Sequence, residues 1–209
     1  MTTVFILPGW LDSGPDHWQS LWQSAHGYTR VQQHDWQQPL RGDWCARLES
    51  SVVDHIAEHR KATQALQKTE LVEQQIHGLE GNMPYKNDAN IVLVAHSLGC
   101  HLVAAWAAAS QHVGAVRGAL LVAPPDVLQA DLPPQLHSWR APVLQRLPFP
   151  AVCVVSSNDP FASSAAGQAM ARSWGARCVQ AGALGHMNSD SGLGGWPTGH
   201  ALLQGLMTA

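Results

Sequence analysis

The sequence predicts an α/β fold, a three-layer sandwich in which a mostly parallel sheet carries helices on both faces. Short apolar runs rich in β-branched residues alternate with stretches of helix formers along the 209 residues, and this alternation is typical of βαβ units. The runs at 91–95 and 118–123 are apolar throughout, as expected for strands that are buried on both faces. The length and the 45% hydrophobic content indicate a single domain over 1–209.

The charge and hydropathy of the sequence argue against two classes of partner, nucleic acids and membranes. The net charge is −3, the sequence pI is near 6.4 and no run of Lys or Arg occurs, so we expect no nucleic-acid partner. The N-terminus lacks the features of a signal peptide, and no apolar segment approaches the ~18 residues of a membrane span. We therefore expect a cytoplasmic protein with no membrane partner.

Cysteine and histidine spacing gives no sign of a disulfide framework or a metal site. The four cysteines are widely spaced and form no C-x-x-C pair, so they are expected to be reduced core residues. The twelve histidines are scattered and show no H-E-x-x-H spacing, which argues against a structural metal. We expect neither a metal nor an organic cofactor.

The first part of the chain contains two strand patterns and two helix patterns. The loop at 8–15 is dense in turn formers, and either Ser13 or Asp16 is suited to cap the helix that follows it. Asp43 is a good N-cap for the second helix. The predicted elements are a strand at 3–7, a helix at 17–24, a short edge-like strand at 28–33 and a helix at 44–60.

Residues 61–90 add length before the next strand. Their first part is polar and either extends the preceding helix or forms a separate amphipathic helix, and their second part contains Pro84 and Asn87-Asp88, which are typical of a loop. The stretch is either a mobile surface insertion or a lid over the site. We prefer the insertion because nothing in the stretch is strongly apolar.

In the rest of the chain, the strand patterns end in loops that carry the candidates for chemistry. In parallel sheets the site lies at the carboxyl ends of the strands. Gly175 is suited to end the helix before the last strand. The predicted elements are strands at 91–95, 118–123 and 178–180, a further strand within 149–156, and helices at 101–107, 162–174 and 200–207.

The stretch 91–107 is the one around which the chain is organised. A buried strand runs into Ser97, and helix formers follow. A serine at a sharp strand-to-helix turn is the nucleophile-elbow arrangement G-x-S-x-G, here with Ala95 in place of the first glycine. Ala95 and Gly99 are both small, so they leave the tight turn unobstructed. The pattern indicates an α/β-hydrolase-like fold with Ser97 as the nucleophile.

Two backbone N–H groups are candidates for an oxyanion hole. Leu98 follows the nucleophile at the positive end of the predicted helix, where an anion is stabilised. The second N–H of such a site comes from a loop after an early strand, and Trp10 directly follows Pro8-Gly9 in that loop. We assign this role to Trp10; the alternative is an ordinary βα turn with no catalytic duty.

A serine nucleophile needs a base to accept its proton and an acid to orient the base. In this fold the order along the chain is Ser, acid, His, and Ser97, Asp159 and His186 satisfy it. Asp126 also follows a strand and competes for the acid role. We prefer Asp159 because the tight turn predicted around it would hold the carboxylate near the edge of the sheet.

Several histidines compete for the base role, and any one of them is expected at the surface. We prefer His186 because it follows Leu184-Gly185, where a small residue lets the loop approach the elbow. His200 competes but is placed at the start of the last helix. His96 precedes the nucleophile, but on a sharp turn its side chain should point away from the serine, so we expect it to be a packing or hydrogen-bonding neighbour rather than the base.

Motifs spread over nearly the whole chain carry a family resemblance. The elbow alone is generic, and the more specific signal is Gly-His-x-Asn at 185–188 followed by Ser-Gly-x-Gly and Trp-Pro. The other matching segments are 7–10 with 17–18, 94–100, 122–124 and 156–160. On these residues the chain resembles the small α/β-hydrolases related to retinoblastoma-binding protein 9 and the bacterial YdeN-like proteins. Residues 61–90 are longer than the usual connection of that family.

The resemblance implies a serine hydrolase with a triad of Ser97, Asp159 and His186 that acts on carboxylic esters or amides. We expect a small acyl substrate and an acyl-enzyme intermediate, but the resemblance supplies no natural substrate. One alternative is a non-catalytic module that binds a protein or a ligand on a hydrolase scaffold, which the nine tryptophans suggest. The other is an acyltransferase that uses the same acyl-enzyme.

Overall fold

A six-stranded sheet forms the middle layer of the protein. The computed structural model describes residues 2–77 and 90–208, without side chains over 66–77. Across the sheet the order is β2-β1-β3-β4-β5-β6, and every neighbouring pair is parallel, which confirms the predicted α/β class. The strands are β1 (Thr3–Leu7), β2 (Thr29–Arg30), β3 (Ile91–His96), β4 (Val116–Val122), β5 (Ala151–Val155) and β6 (Arg177–Gln180).

Helices cover both faces of this sheet and complete the three layers. The helices are α1 (Trp18–His26), α2 (Arg41–His77), α3 (Leu98–Ala109), α4 (Ser164–Ser173) and α5 (Pro197–Thr208), with 3-10 turns at Val113–Ala115, Pro134–Trp139 and Ser189–Ser191. One core contains Trp18 of α1 and Leu203 of α5, and the other contains Leu48 of α2, Leu102 of α3 and Met170 of α4. The sheet is therefore buried on both faces.

The central strand β3 shows why the two cores stay separate. Val92 and Val94 belong to the core under α1 and α5, whereas Leu93 and Ala95 belong to the core under α2, α3 and α4. Successive side chains of a strand point to opposite faces, so an apolar run without interruption supplies both cores at once. In the strand order β3 is the third of six strands, so its carboxyl end lies near the middle of the carboxyl edge of the sheet.

Helix α1 is capped by His17, not by Ser13 or Asp16 as predicted. The Gln19 N–H donates to His17 Nδ1 at 3.1 Å, while the Ser13 hydroxyl donates to the Gln19 side chain at 2.8 Å. Asp16 is exposed. An unprotonated imidazole nitrogen accepts a hydrogen bond as a capping oxygen does, and the usual set of capping residues leaves histidine out.

Helix α2 begins at Arg41 rather than at Trp44, because the Trp44 N–H already donates to the Leu40 carbonyl at 3.0 Å. Asp43 lies in the first turn rather than at the cap, where its charge still favours the helix dipole. The helix continues to His77, so the first part of 61–90 extends it. The loop predicted around Pro84 lies outside the described residues, and the choice between an insertion and a lid stays a prediction.

The second half differs from its prediction mainly at two helix starts, and the first is that of α3, which begins at Leu98 instead of His101. The helix α4 is capped by Ser163, whose Oγ accepts from the Ala166 N–H at 3.1 Å, and Gly175 follows its end with a φ of 67°, so the predicted stop is confirmed. Helix α5 begins at Pro197 instead of His200. Proline suits the first helical position because its missing N–H would have no partner there.

The cysteines are all free, as predicted, but they are not all in the core. Cys100 and Cys153 are buried, Cys45 is half-buried and Cys178 is exposed. Cys178 was expected inside, and it is exposed because it lies on β6, the short strand at the edge of the sheet. Over the described ranges, no helix is both long enough and apolar enough to cross a bilayer.

Glu49 joins α2 to the end of α3. Its Oε2 accepts from Trp106 Nε1–H at 2.6 Å and from the Ser110 hydroxyl at 2.7 Å, and its Oε1 accepts from His112 Nδ1–H at 2.7 Å. Partial burial by itself raises the pKa of Glu49, but the hydrogen bonds from Ser110, His112 and Trp106 outweigh it and the net change is a lowered pKa. The folded state therefore favours the charged carboxylate.

We expect Glu49→Gln to lower the free energy of unfolding at neutral pH by about 1 kcal/mol, because the amide has one acceptor fewer and no charge. The folded-state pKa lies below the ordinary value of 4.5. The stabilisation by the carboxylate is therefore present above that value and is lost as the pH falls through the folded-state pKa. Urea unfolding at neutral pH and at progressively lower pH measures this, with the exposed Glu58→Gln as control. A difference that did not shrink in acid would contradict the assignment.

Candidate active site

Three side chains from separate strand ends form one hydrogen-bonded chain at the carboxyl edge of the sheet. The Ser97 hydroxyl donates to His186 Nε2 at 2.9 Å, and His186 Nδ1–H lies 3.0 Å from each carboxylate oxygen of Asp159. The side chains of His186 and Asp159 are 9% and 3% exposed. The structure thus brings together the three residues that the sequence singled out, at distances suited to proton transfer.

Ser97 lies on a sharp turn between β3 and α3. Its φ is 54° and its ψ is −126°, a backbone conformation that is strained for any residue other than glycine. The Ser97 N–H donates to the Val122 carbonyl at 2.9 Å, and the Ser97 carbonyl accepts from the Cys100 N–H at 2.9 Å. These two bonds hold the strained residue between the end of β4 and the first turn of α3.

Two glycines let the loop after β1 lie directly against this turn. A Cβ at Gly99 would be 2.4 Å from the Leu7 carbonyl oxygen, and a Cβ at Gly9 would be 2.7 Å from Ser97 Cβ. Real Cβ atoms do not approach other atoms so closely, so neither position can carry a side chain without a shift of backbone. The small residue that the turn needs at Gly99 is therefore required by contact with the end of β1.

The two N–H groups predicted for an oxyanion hole lie beside Ser97. Leu98 is the first residue of α3, so its N–H has no acceptor within the helix. Trp10 follows Gly9, which abuts Ser97. Among the described residues, no backbone carbonyl accepts from either N–H. Both N–H groups are therefore free of backbone partners in the described part of the chain, and their role in holding an oxyanion stays a prediction.

Gln19 and Arg30 hold the loop after β1 in place, and sequence reasoning missed both. Gln19 is fully buried, and its amide donates to the Leu7 carbonyl at 3.2 Å and to the Val94 carbonyl at 3.0 Å. The Arg30 guanidinium donates to the Asp12 carboxylate and to the Ser13 carbonyl. Both are distant in sequence from the turn at Ser97, so only the fold reveals what they support.

Ser156 and Asn158 connect the loop after β5, which carries Asp159, to the loop after β6, which carries His186 and is called the histidine loop. Asn158 Oδ1 accepts from the Ser156 hydroxyl at 2.9 Å and from the Gly185 N–H at 2.7 Å. Ser156 Oγ accepts from the Leu184 N–H at 3.0 Å. Sequence reasoning treated this segment as the turn around Asp159, and missed that its other polar side chains hold the histidine loop in place.

The backbone on both sides of His186 adopts positive φ, at 58° for Gly185 and 53° for Met187. A Cβ at Gly185 would lie 3.2 Å from Ser191 Oγ. Glycine is therefore needed for its left-handed conformation and for contact with Ser191, and not for approach to the elbow as the sequence suggested. Trp18 Nε1–H donates to the Met187 carbonyl at 2.8 Å, which holds the other side of the loop.

The competing residues have other partners. The Asp126 carboxylate accepts from the Leu128 N–H at 3.0 Å, and His200 lies within α5, with its Nε2 2.9 Å from the Tyr28 hydroxyl. His96 Nε2–H donates to the His186 carbonyl at 2.9 Å. The expectation that His96 is a hydrogen-bonding neighbour thus matches the geometry, and its partner is the backbone of the histidine loop.

Two further histidines near His186 are kept neutral by burial. The ring centroids of His96 and His186 are 4.9 Å apart, and those of His17 and His96 are 4.7 Å apart. Burial, with smaller effects of Arg30 and His186, lowers the pKa of His17 to about 4. Burial also lowers the pKa of His96 well below its ordinary value. At neutral pH both rings are uncharged, so a proton on His186 meets no like charge from them.

A family model described as "Serine hydrolase" matches residues 4–59 and 54–205, which together take in nearly the whole chain. The chain belongs to the serine hydrolase family. None of the curated proteins compared with it matches. The predicted resemblance to serine hydrolases is therefore confirmed.

Solved structures of the same fold include two of the YdeN type. A YdeN-like hydrolase from Pectobacterium atrosepticum is 22% identical, with a TM-score of 0.69 over 100% of this chain and 91% of that chain. The ydeN gene product of Bacillus subtilis is 19% identical, with a TM-score of 0.66 over 100% of both chains. Esterase 2 of Thermogutta terrifontis is 13% identical, with a TM-score of 0.60 over 100% of this chain and 83% of that chain. The link to retinoblastoma-binding protein 9 stays a prediction.

In this serine hydrolase, no cluster of three or more His, Cys, Asp or Glu side chains that could hold a metal ion occurs within the described part of the chain. The functional groups that the site brings together are the Ser97, His186 and Asp159 side chains, with backbone N–H groups nearby.

We expect Gly9→Ala to reduce turnover of any substrate by about 100-fold or more, because the new Cβ would displace either Ser97 or the loop that carries the Trp10 N–H, a loss comparable to that of one oxyanion donor. Gly14→Ala is the matched control, since a Cβ at Gly14 meets nothing within 4 Å in the same loop. Steady-state kinetics and thermal melts of both variants check this. Equal activity of the two variants would show that the contact with Ser97 does not matter.

We expect His96→Leu to lower kcat by about tenfold, because the buried His186 carbonyl loses its donor and the loop can shift. His96→Gln retains an N–H donor near the position of Nε2 and should restore part of kcat, with KM little changed in both variants. Kinetics of the two variants across pH separate this positioning effect from a loss of stability. If the Gln variant were as impaired as the Leu variant, packing alone would account for His96.

Proposed function

We propose that this serine hydrolase cleaves small carboxylic esters or amides through an acyl-enzyme formed on Ser97. The observation that carries the proposal is the unbroken chain of hydrogen bonds from the Ser97 hydroxyl through His186 to Asp159. A serine hydroxyl is a poor nucleophile unless a base takes its proton, and here a base that is itself oriented by a buried carboxylate lies within reach.

In the first step Ser97 Oγ attacks the carbonyl carbon of the substrate while its proton moves to His186 Nε2. The carbonyl oxygen becomes an oxyanion, for which the N–H groups of Trp10 and Leu98 are the available donors. Asp159 accepts from His186 Nδ1–H throughout, which fixes the tautomer and stabilises the imidazolium. Collapse of the tetrahedral intermediate breaks the bond to the leaving group, which takes the proton from His186.

In the second step water attacks the acyl-enzyme and gives a proton to His186. The carboxylic acid leaves, and the proton returns to Ser97 Oγ. The same cycle serves an ester and an amide, because in both the leaving atom takes its proton from His186 as its bond to the carbonyl carbon breaks. An acyltransferase would use an alcohol or an amine in place of water in this second step.

We expect a fluorophosphonate probe to add once to the wild-type protein and not to Ser97→Ala, since only an activated serine reacts. Asp159→Asn should keep the fold but lower kcat by about 10⁴-fold, because the histidine loses the carboxylate that orients it. Intact mass and ester hydrolysis measure the two effects.

The remaining outcomes separate the alternatives. A folded wild-type protein that takes no probe would overturn the hydrolase proposal and favour the binding module. If labelling succeeds, product analysis with an added alcohol tests the acyltransferase. Transfer of the acyl group to the alcohol in place of water would identify an acyltransferase. Release of the free carboxylic acid would support the hydrolase.

A further inference from the structure

An open pocket of about 500 Å³ lies between the loop after β5 and the loop after β6, and His186 forms part of its wall. The other lining residues are Pro160, Phe161, Ala183, Leu184, Gly185, Asn188, Asp190 and Ser191. The other void near the triad, beside Asp159 and Gly167, has only about 10 Å³, which is room for about one water molecule. Of these two, the larger pocket has room for an organic group.

The position of the pocket indicates which half of the substrate enters it. In the proposed reaction His186 passes its proton to the leaving group, so the leaving atom must lie next to His186 Nε2. Trp10 follows β1, on one side of Ser97 in the strand order, whereas the pocket lies between the loops after β5 and β6, on the other side. A group bound in the pocket is therefore on the leaving-group side of the scissile bond.

Phe161 is the exposed apolar group of this pocket, and its backbone is firmly held. Its side chain is 50% exposed, and its ring lies edge-on to His186 with centroids 4.6 Å apart. The Phe161 N–H donates to Asp159 Oδ1 at 2.9 Å, and its carbonyl accepts from the Asp126 N–H at 2.8 Å and the Gln129 side chain at 2.7 Å. A half-exposed aromatic ring on a fixed backbone is suited to contact a ligand.

The charge of the lining excludes an acidic leaving group. None of the lining residues is a Lys or an Arg, while Asp190 is exposed there and Asp159 lies behind His186. A carboxylate or phosphate on the leaving group would meet the exposed Asp190 carboxylate, and no Lys or Arg lines the pocket to pair with it. Beside His186 the pocket offers apolar contact from Phe161 and Leu184.

We infer that the pocket between Phe161 and the loop at 183–191 binds the leaving group, and that this group is an uncharged, apolar alcohol or amine. The inference rests on the proposed function and extends it from the reaction to the substrate class. Because the pocket would contact the alcohol or amine that leaves in the first step, esters of one acid with different alcohols should differ in kcat/KM.

The test compares acetate esters of propan-1-ol, 3-phenylpropan-1-ol and 4-hydroxybutanoate, whose common acyl group gives the same acyl-enzyme. We expect kcat/KM to be about tenfold higher for the phenylpropyl ester than for the propyl ester, and lowest for the ester with the carboxylate. In Phe161→Ser the ratio of phenylpropyl to propyl should fall close to one, and Phe161→Leu should restore part of it. A ratio is used because any shift of His186 affects both esters alike.

Leu144→Ser is the matched control. Leu144 is also about half-exposed, at 46%, but it lies in the segment before β5 and does not line the pocket, so the ratio for this variant should equal that of the wild type. Equal kcat/KM for all three alcohols, a preference for the carboxylate, or an unchanged ratio in Phe161→Ser would overturn the inference. Labelling of Ser97 by the fluorophosphonate probe would still succeed in each case, whereas failure of the proposed function would abolish labelling as well.

Discussion

The close contact between the loop after β1 and the turn at Ser97 is the constraint on which the site depends. The serine has a φ of 54°, a conformation that costs on the order of 1–3 kcal/mol and persists only where the surroundings enforce it. The enforcement comes from the Val122 carbonyl on one side and from Gly99, pressed against the Leu7 carbonyl, on the other. The same contact brings Gly9 against Ser97. The packing of this loop therefore positions both the Ser97 hydroxyl and the backbone N–H groups next to it.

The histidine loop is held by a different means, which is main-chain hydrogen bonding to buried side chains. His96 and Trp18 donate to carbonyls of the loop, while Ser156 and Asn158 accept from its N–H groups. Because burial keeps the His96 ring neutral, it acts as a fixed donor and adds no positive charge. The carboxylate of Asp159 therefore orients the His186 ring, and neither neighbouring histidine ring places a positive charge beside it at neutral pH.

The sequence predicted the layers, the strand positions and the three contacting residues because these depend on local pattern. An apolar run through β3, small residues around Ser97 and the chain order of the acid and the base are all visible in the linear sequence. The His17 cap, the Gln19 and Arg30 contacts and the Ser156–Asn158 clamp depend on which loops the fold brings together, and no local pattern signals that. Gly185 shows the difference well: the glycine was noticed, but its positive φ and its contact with Ser191 follow only from the path of the loop.

At the carboxyl edge of the sheet, some residues of the site are buried and held by hydrogen bonds, whereas others expose their side chains to solvent. The side chains of His186 and Asp159 are nearly buried, and both are held by hydrogen bonds to each other and to their neighbours. Phe161 combines a backbone that shares in this network, through its bond to Asp159, with a side chain that is half in solvent. Such a residue can be replaced by a larger or smaller one without unfolding the loop. Substrate preference can therefore vary through the wall of the pocket, while Ser97, His186 and Asp159 stay the same. Chemistry is therefore set by the turn at Ser97, and selectivity by the loops after β5 and β6.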